Sequence, residues 1–349
     1  MQTAERELPR VRFADAAIEM AHGAGGKASR RLVEGLFVPL LANPILATLS
    51  DSAISNFNGS RLATTADGYV VKPLRFPGGS IGELAVNGTV NDLAVAGARP
   101  LGLMAAFILE AGLAGDTLRA EVEAMAAAAA RAGVAIIGGD TKVVEHGFAD
   151  GMYLATFGFG EVDARASLSP ESIRAGDRVL LSGPIGDHGI TILLARGELD
   201  LEADLRSDTR PLTPFVEALL ETAGDGLRWM RDPTRGGVAT ALNELIRGAP
   251  VGITLFEEAI PLRDEVRGAC EILGLDPLHI ANEGQLLAVV SPEFADAALD
   301  GMRALPGGVG AVCIGEVRER PAGAVLAVTS YGGSRIIDML VGDPLPRIC

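Results

Sequence analysis

The sequence predicts a two-domain protein of the α+β class. Its 349 residues exceed the roughly 250–300 residues at which a single hydrophobic core stops growing. Strand-like apolar runs alternate with helix-like runs in both halves of the chain. We expect a lead-in at 1–45, an N-terminal domain at 46–165, a C-terminal α/β domain at 166–342 and a mobile tail at 343–349.

The predicted elements of the N-terminal domain follow the order β-α-β-α-β-β. The run DTLRAEVEAMAAAAARAG is amphipathic and rich in alanine, and the glycine that ends it, Gly133, is typical of a helix end. In the lead-in, a Gly-rich segment opens the helix SRRLVEGLFVPLL. We predict a strand at 61–71, a helix at 80–98, a strand at 101–110, a helix at 116–133, and strands at 134–140 and 151–162.

The C-terminal domain begins with a strand, a Gly-rich turn and a helix in AGDRVLLSGPIGDHGI (175–190). Further helices and strands alternate after it, which favours an α/β arrangement. We predict helices at 211–223, 234–248, 263–274 and 292–304, and strands at 251–256, 284–290, near 310–316 and near 322–328. The segment GDPLP then leads into the tail.

Composition and charge exclude several classes of function. The net charge is −15 and no cluster of Lys and Arg is present, so we expect no nucleic-acid partner. The sequence contains no run of 18 apolar residues, so we expect no membrane span, and the N-terminus lacks the apolar core of a signal peptide. We therefore expect a cytoplasmic protein. Cys270 and Cys313 lie in apolar surroundings, and the spacing of the cysteines fits neither a disulfide framework nor a zinc site.

The segment IIGGDTKVV is a candidate ligand site. A strand-like run ends in two glycines, which allow a ligand to approach the backbone closely. Asp140, Thr141 and Lys142 follow, and they supply a carboxylate, a hydroxyl and a cation. Lys142 is one of only three lysines among 30 basic residues, which favours a specific role for its ammonium group. The alternative is an ordinary surface loop.

Five aspartates share a setting that suggests metal binding. Each follows or interrupts an apolar stretch and is flanked by Gly, Thr, Asn or Pro; they are Asp51, Asp67, Asp92, Asp140 and Asp232. Asp92 lies within a helix of small apolar residues, where a lone carboxylate is costly to bury. Mg²⁺ requires two or more carboxylates together with substrate phosphates. For any one of them alone, a cap or turn residue is the alternative.

Three further segments suggest an anion site or acid–base chemistry. GAGGKAS departs from a P-loop, because Ala28 follows Gly26-Lys27 where Ser or Thr is required, but a Gly-rich loop before a helix can still offer N–H groups to an anion. In DPTRGG, a turn precedes the start of a helix that could receive phosphate. Glu283 lies between Asn and Gly just before a predicted buried strand. The alternative for these segments is a simple turn.

The sequence ends in PRIC, so its last residue is a cysteine, Cys349. Pro344 and Pro346 favour an extended tail that rises roughly 3 Å per residue, so its seven residues could reach about 20 Å. Arg347 favours the thiolate of Cys349, whereas the α-carboxylate disfavours it. These opposing effects predict ordinary nucleophilicity, which suits an acceptor of an already activated group.

Five motifs stand in order along the chain: AHGAGG, PGGSIGELAVNGTVNDLAVAGARP, GGDTKVV, DPTRGG and PRIC. Together they resemble the HypE family, the carbamoyl dehydratases of [NiFe]-hydrogenase maturation, within the superfamily of aminoimidazole ribonucleotide synthetase and selenophosphate synthetase. GTVNDLA, GGDTKVV and the terminal PRIC carry the resemblance to HypE itself. The resemblance extends over essentially the whole chain.

The resemblance implies a fold and a reaction. The N-terminal domain would form a β-barrel with its twin across a homodimer interface, and ATP with Mg²⁺ would bind between the two domains. The last cysteine would receive a carbamoyl group from the carbamoyltransferase HypF. The enzyme would dehydrate the resulting thiocarbamate to a thiocyanate, and the cyanide would pass to iron on the HypC–HypD complex.

The resemblance also implies site residues. The metal ligands would be Asp51, Asp67, Asp92 and Asp232. The nucleotide would contact Gly25, Gly26, Asn91, Gly139, Asp140, Thr141, Lys142 and Thr234. Cys349 would carry the carbamoyl group, Lys142 would hold the transferred phosphoryl group or the carbamoyl oxygen, and Glu283 would be the base. The chain departs from the pattern at Ala24 and Gly68, where the family pattern has serine, so neither hydroxyl is needed here.

Two other functions are compatible with most of these motifs. Another kinase of the superfamily would act on a small acid or a nucleotide and would not need Cys349. A carrier or scaffold without catalysis would bind ATP and dock HypF and HypC–HypD. The intact aspartates, Lys142 and Glu283 argue against the scaffold.

Overall fold

A computed structural model describes residues 12–197, 201, 203–342, 345 and 347–349. It contains two domains, each built on one sheet with helices packed against it, and so confirms the mixed two-domain class. The lead-in helix is α1 (Lys27–Leu32), which continues through a π-helical turn, Val33–Phe37, into α2 (Val38–Leu40). Within the described part of the chain, no helix combines the length and the hydropathy that a membrane crossing requires.

The N-terminal domain contains a five-stranded sheet. Its elements are β1 (Ala53–Phe57), β2 (Ser60–Tyr69), the short paired strands β3 (Arg75–Phe76) and β4 (Gly79–Ser80), α3 (Ile81–Val95), β5 (Ala98–Glu110), α4 (Gly115–Ala132), β6 (Ile136–Val144) and β7 (Met152–Val162). The sheet order is β1-β2-β7-β5-β6, and only the β5–β6 pair is parallel. The sheet is open, and the described residues of this single chain form no closed barrel.

Helix α3 is almost entirely buried between the sheet and α4. Small residues permit this close packing. A Cβ atom added to Gly88 would lie 2.3 Å from the hydroxyl oxygen of Tyr69, and one added to Gly82 would lie 2.2 Å from the carbonyl oxygen of Glu121. Helix α4 ends at Gly133, whose φ of +65° is in the left-handed region, as the sequence predicted.

The opposite face of this sheet is apolar and exposed. Met104 on β5 and Phe157 on β7 are paired across the two strands, and about half of each side chain is accessible. Ile137 on β6 and Phe57 on β1 are exposed on this face as well. A contiguous apolar surface of this kind is typical of a protein–protein contact.

The C-terminal domain contains a seven-stranded sheet with helices on both faces. Its elements are β8 (Arg178–Leu181), α5 (Asp187–Ala195), α6 (Thr213–Ala223), β9 (Leu227–Arg231), α7 (Gly237–Leu245), β10 (Gly252–Phe256), α8 (Asp264–Leu273), β11 (Leu287–Val290), α9 (Ala295–Arg303), β12 (Val312–Arg318), β13 (Val325–Val328) and β14 (Ser334–Ile337). The sheet order is β14-β13-β10-β12-β8-β11-β9.

Alternate residues of β8 face two different cores, as the two-residue period of a strand requires. Val179 and Leu181 face a core that includes α7. Leu180 faces a core that includes α6 and α9. That second core also contains Leu93 and neighbouring residues of α3, so the two domains share it.

The structure corrects the predicted end of the strand at 134–140. β6 continues to Val144, because its parallel ladder with β5 continues and sets Lys142 opposite Ile108. Asp140 and Lys142 therefore lie within an exposed edge strand rather than in a loop after it. The sequence analysis also missed the short strands β1, β9 and β14. Strands β1 and β14 pair with their sequence neighbours β2 and β13, whereas β9 pairs with the distant strand β11.

We expect Gly88→Ala to lower the thermal midpoint clearly, because the new methyl group would overlap the buried ring of Tyr69. Overpacking of this kind typically costs about 1–3 kcal/mol. Gly115→Ala is the matched control, since no atom lies within 4 Å of its added Cβ. Equal midpoints for the two variants, measured by calorimetry, would contradict the packing described here.

Candidate active site

Three of the four predicted metal ligands lie together. Oxygen atoms of Asp51, Asp92 and Asp232 all lie within 4.8 Å of one another. Asp51 precedes β1, Asp92 lies on α3, and Asp232 follows β9, so both domains contribute to this carboxylate cluster. The donor set consists of hard oxygen atoms and fits Mg²⁺.

The carboxylate cluster carries more negative charge than its surroundings compensate. Burial, and then the charges of Asp232 and Asp51, raise the pKa of Asp92 well above its usual value. Burial and the charge of Asp51 also raise the pKa of Asp232. Arg231 offsets part of this charge through ion pairs at 3.0 Å with Asp51 and with Glu244. A divalent cation would relieve the remaining repulsion.

The sequence analysis missed two residues that orient this cluster. Arg231 immediately precedes Asp232, and that adjacency was a visible signal. Thr65 lies on β2, and its hydroxyl is 2.8 Å from Oδ2 of Asp92. Nothing in the sequence connects Thr65 to Asp92, because only the packing of α3 on the sheet brings them together.

Asp67 lies near the carboxylate cluster but is not one of its three members. Its charge contributes to the raised pKa values of Asp92, Asp232 and Glu283. Its Oδ1 atom accepts the N–H of Gly68 at 2.8 Å, so one carboxylate oxygen is directed at the backbone. Direct metal binding by Asp67 stays a prediction.

Glu283 is buried and is influenced by the charge of Asp232 in the carboxylate cluster. Burial raises the pKa of its carboxyl group well above the usual value, and the charges of Asp232, Asp67 and Asp208 act in the same direction. The charge of Arg235 lowers it in part. Asp208, which the sequence analysis missed, accepts the backbone N–H groups of Glu283 and Gly284 at 3.0 and 3.2 Å and so fixes this turn.

The structure gives Asn91 a different role from the predicted nucleotide contact. Its side-chain amide donates to the carbonyl oxygens of Arg210 at 3.1 Å and Glu283 at 3.3 Å. Its Oδ1 atom accepts the N–H of Leu212 at 2.8 Å. All three partners belong to the C-terminal domain, so Asn91 joins the two domains beside the carboxylate cluster.

The N–H groups around the Gly-rich loop are used within the protein. Gly25 donates to the hydroxyl of Ser29 at 2.9 Å, and the N–H groups of Lys27 and Ala28 donate to the carbonyl oxygens of Leu340 and Val341 at 2.8 and 3.3 Å. The predicted anion-facing role is therefore corrected for these donors.

Gly25 and Gly26 instead allow close approach to other segments. A Cβ atom added to Gly25 would lie 2.9 Å from the backbone oxygen of Arg235. One added to Gly26 would lie 2.4 Å from the carbonyl oxygen of Leu340. The loop thus packs against DPTRGG. Thr234 in that motif is half-buried, and its N–H donates to the carbonyl oxygen of Asp232 at 3.0 Å.

The segment Gly139 to Lys142 lies far from the carboxylate cluster of its own chain. Strand register sets Asp67 opposite Thr156, Thr156 opposite Ala105, and Ala105 opposite Gly139. Three strand spacings separate Asp67 from Gly139, which is about 14 Å.

On that edge strand, Lys142 forms an ion pair at 2.7 Å with Asp140, and both side chains are largely exposed. Its hydrogen bond to Asp140, with that of the Thr141 N–H, lowers the pKa of the Asp140 carboxyl group. Within one chain, therefore, Asp140, Thr141 and Lys142 do not join the cluster.

The end of the chain is hydrogen-bonded to the segment that follows β2 in the same chain. The N–H of Val70 donates to the carbonyl oxygen of Cys349 at 3.0 Å, and that of Lys72 donates to the carbonyl oxygen of Arg347 at 3.4 Å. Ile348 is only 2% exposed. The negative charge at Cys349 is the largest cause of a raised pKa at Arg235 in the DPTRGG motif. The mobility of the tail stays a prediction.

Both domains match one family of proteins. The models of the AIR synthase related protein family match at 49–162 for its N-terminal domain and at 174–327 for its C-terminal domain. The chain thus has the two-domain architecture of that class, with a carboxylate cluster between the domains.

Within that class, the chain belongs to the carbamoyl dehydratase HypE family. It is 50% identical over 332 residues to the carbamoyl dehydratase HypE of Bradyrhizobium diazoefficiens, a match that covers 95% of this chain and 96% of that protein. A HypE structure from a HypE–HypF complex aligns with a TM-score of 0.84 and 43% identity, over 88% of this chain and 99% of the other. A HypE structure in complex with ATP aligns with a TM-score of 0.79 and 46% identity, over 95% and 99%.

Added Mg²⁺ should stabilise this protein more at pH 8 than at pH 5. Burial and the charge of Asp51 raise the pKa of Asp232 from 3.8 to about 7. A carboxyl group with a raised folded-state pKa stabilises the fold at low pH, and that contribution is lost as pH rises through the folded pKa. Without metal, thermal stability should therefore fall between about pH 4 and pH 7, and Mg²⁺ should restore it above that window.

Thermal midpoints with EDTA and with Mg²⁺ at both pH values test this expectation. Asp232→Asn should reduce both the pH dependence and the response to Mg²⁺. Asp300→Asn, on an exposed helix position, is the control and should behave as wild type. An equal Mg²⁺ response in wild type and Asp232→Asn would exclude the metal site.

Proposed function

We propose that this protein uses ATP and Mg²⁺ to dehydrate a carbamoyl group carried on Cys349 to a thiocyanate, which supplies cyanide for the iron of [NiFe]-hydrogenase. The observation that carries the proposal is the position of Cys349. The carbonyl oxygen of this last residue accepts the N–H of Val70 at 3.0 Å, and Val70 directly follows β2, the strand that carries Asp67. The carrier residue therefore lies beside the strand that supplies one of the candidate site carboxylates.

Asp51, Asp92 and Asp232 would hold Mg²⁺, and Asp67 is a further candidate ligand beside them. When bound, the ion neutralises the negative charge of the triphosphate. The protein itself has a net charge of −15 and offers no overall positive charge for this purpose. Arg231 keeps Asp51 in place, and the hydroxyl of Thr65 orients Asp92. Thr234, in the turn after Asp232, remains our candidate for a nucleotide contact.

The reaction we propose has two stages. The carbamoyl oxygen first attacks the γ-phosphorus of ATP, ADP departs, and one of the two nitrogen-bound protons is released to solvent, so that the oxygen becomes part of a phosphate leaving group. The C–O bond then breaks as phosphate departs, the remaining nitrogen-bound proton moves to Glu283, and the nitrogen and carbon form the S–C≡N group. A raised carboxyl pKa suits this role, because a base works best when its pKa lies near the operating pH.

Lys142 is our candidate for the cation that holds the transferred phosphoryl group or the carbamoyl oxygen. Because it lies far across the sheet from its own cluster, we propose that it acts in the site of a second copy. Gly139, Asp140 and Thr141 would accompany it on the exposed edge strand β6.

We propose a homodimer for the same reason. The exposed apolar sheet face around Met104, Phe157 and Ile137 would be covered by the same face of the twin. Two open sheets that meet in this way would form the barrel expected from the family resemblance. The dimer would also cover the unpaired edge of β6, which is otherwise an aggregation hazard.

HypF would load Cys349, and the HypC–HypD complex would receive the cyanide. Both steps require the tail to leave its cleft, so we propose that docking is reversible. The compartment we propose is the cytoplasm, because a reducing environment keeps a carrier thiol free. Cys270, Cys313 and Cys349 form no disulfide with one another in the structure.

A small-molecule kinase of the same superfamily is the second candidate, and a non-catalytic carrier is the third. The buried Ile348 and the bound carbonyl groups of the tail favour a function that uses Cys349. Mass spectrometry of the tail after incubation with HypF, carbamoyl phosphate and ATP separates the three. Loss of one water from carbamoylated Cys349 indicates the dehydratase, a stable carbamoyl group indicates the carrier, and an unmodified tail indicates the kinase.

Glu283→Gln should block the elimination while loading continues. The amide keeps the shape of the carboxyl group but cannot accept the nitrogen proton, so thiocyanate formation should fall roughly 10²–10⁴-fold. ATP binding and carbamoyl loading should persist, and the C-terminal peptide should accumulate the intact carbamoyl mass. Glu293→Gln, on the exposed surface, is the control. Wild-type thiocyanate yield from Glu283→Gln would leave Glu283 only a structural role in its turn.

Subunit mixing should reveal whether Lys142 serves the partner's site. Lys142→Ala and Asp92→Asn should each be inactive alone. Mixed dimers would contain one complete site, with Asp92 from one copy and Lys142 from the other. If subunits exchange at random, about a quarter of wild-type activity should return. Activity that stays at the level of the separate variants would show that both residues serve the same chain's site.

A further inference from the structure

We propose that His188, Arg196 and Asp150 are positioning residues that clamp the last three residues of the chain and so fix the place of Cys349. We call these three residues the tail clamp. Its purpose rests on the proposed function, but its existence does not. None of the three belongs to the motifs that identify the family, and each is bonded to the tail or to the segment beside it.

His188 holds the carbonyl group of Ile348 from a fully buried position. Its Nε2 atom lies 2.7 Å from that carbonyl oxygen, and its Nδ1 atom lies 2.8 Å from the hydroxyl oxygen of Ser207. A carbonyl oxygen can only accept, so Nε2 must carry a proton, and Nδ1 then accepts the Ser207 hydroxyl. Burial lowers the pKa of His188 to about 4, so the ring is neutral near pH 7. The ring of Phe76 packs edge-on at 5.6 Å and fixes its orientation.

Arg196 joins the tail to the segment that follows β2. Its guanidinium group donates to the carbonyl oxygen of Arg347 at 2.8 Å and to that of Lys72 at 3.2 Å. The N–H of Lys72 reaches the same Arg347 carbonyl. One guanidinium group therefore bridges two neighbouring chain segments.

Asp150 holds the side chain of Arg347 through an ion pair. Asp150 is itself fixed, because it accepts the hydroxyl of Tyr153 at 3.0 Å and pairs with Lys72 at 3.4 Å. Its hydrogen bond to Arg347 is the main cause of a lowered pKa, so the carboxylate is ionised at neutral pH.

Together with the N–H of Val70, which donates to the carbonyl oxygen of Cys349, these contacts bind three successive carbonyl groups of the tail, those of Arg347, Ile348 and Cys349. Because these hydrogen bonds are made to backbone carbonyl groups, they fix which residue of the tail lies at each position along its binding segment. A slip of one residue would move the cysteine by about 3.3 Å. Reactive groups must be placed far more closely than that, because effective catalysis requires near-attack geometry.

The docked tail also contains a feature that opposes docking. Arg347 has φ of +59°, in the left-handed region that residues other than glycine seldom adopt. The clamp must offset this unfavourable backbone conformation. A tail held in this way can be released once a few contacts break, as a carrier that visits partners requires.

Alkylation of Cys349 tests the clamp directly. The full-length protein is treated with iodoacetamide, without ATP or any partner, and the C-terminal peptide is followed by mass spectrometry. Peptides that contain Cys270 and Cys313 are followed separately and report any general loosening. Asp150→Asn removes the charge that holds Arg347, and Glu145→Gln makes the same charge change at an exposed position of the same loop.

His188 allows a second matched pair. In His188→Gln, the amide nitrogen can occupy the place of Nε2 and still donate to Ile348. In His188→Asn, the shorter amide reaches only the place of Nδ1 and leaves the Ile348 carbonyl oxygen without its donor. Thermal midpoints identify any variant that fails to fold. Because Asp150 is only partly buried, its variant decides the matter if both His188 variants unfold.

Iodoacetamide should alkylate Cys349 at least threefold faster in Asp150→Asn than in Glu145→Gln. It should alkylate Cys349 at least fivefold faster in His188→Asn than in His188→Gln. The alkylation rates of Cys270 and Cys313 should be unchanged. In single turnovers from loaded protein, the clamp variants should lower the rate of dehydration without changing the KM for ATP. Equal alkylation within either pair removes that residue from the clamp, and equal alkylation within both overturns the proposal. If alkylation accelerates but no thiocyanate ever forms in wild type, the clamp stands and the proposed function fails.

Discussion

Mutual repulsion among buried carboxylates is the constraint on which the site depends. Asp51, Asp92 and Asp232 come from three separate segments and are brought within 4.8 Å. A folded chain tolerates this only where other forces hold the segments together. Here the shared core of α3 and α6 and the amide of Asn91 join the two domains beside the cluster. The stability of the domain junction thus maintains an arrangement that is ready for a cation.

The same junction also brings the carrier and the catalytic groups together. The guanidinium of Arg235 donates to the carbonyl oxygen of Gly23 at 3.1 Å, and the negative charges at Cys349, Asp67 and Glu283 all raise the pKa of Arg235. The Gly-rich loop, the DPTRGG turn and the last residue therefore meet at one place.

The tail and the edge strand β6 differ in how they relate to their own chain: the tail is bound to it, whereas β6 carries Lys142 away from its carboxylate cluster. The contacts of the tail are directed mainly at its backbone carbonyl groups, and Arg347 keeps an unfavourable φ, which is compatible with the proposed release of the tail. The edge strand carries Lys142 at a distance from its own cluster and beside an apolar sheet face. It is therefore placed to serve another copy of the chain, so association with a second copy and completion of the site would be one event.

The sequence by itself determined the family, through the resemblance of its motifs. It also determined the mixed two-domain class and most helices, because local periodicity and glycine positions such as Gly133 are readable without a structure. It also selected Asp51, Asp92, Asp232 and Glu283, whose carboxylates stand in apolar settings that demand a reason. Only the tertiary structure decided how these residues are used. It reassigned Asn91 to the domain junction, continued β6 through Lys142, and added His188 to the surroundings of the tail. The physical reason is that hydrogen-bond partners and charge neighbours are set by packing between segments distant in sequence, and no local pattern encodes that packing.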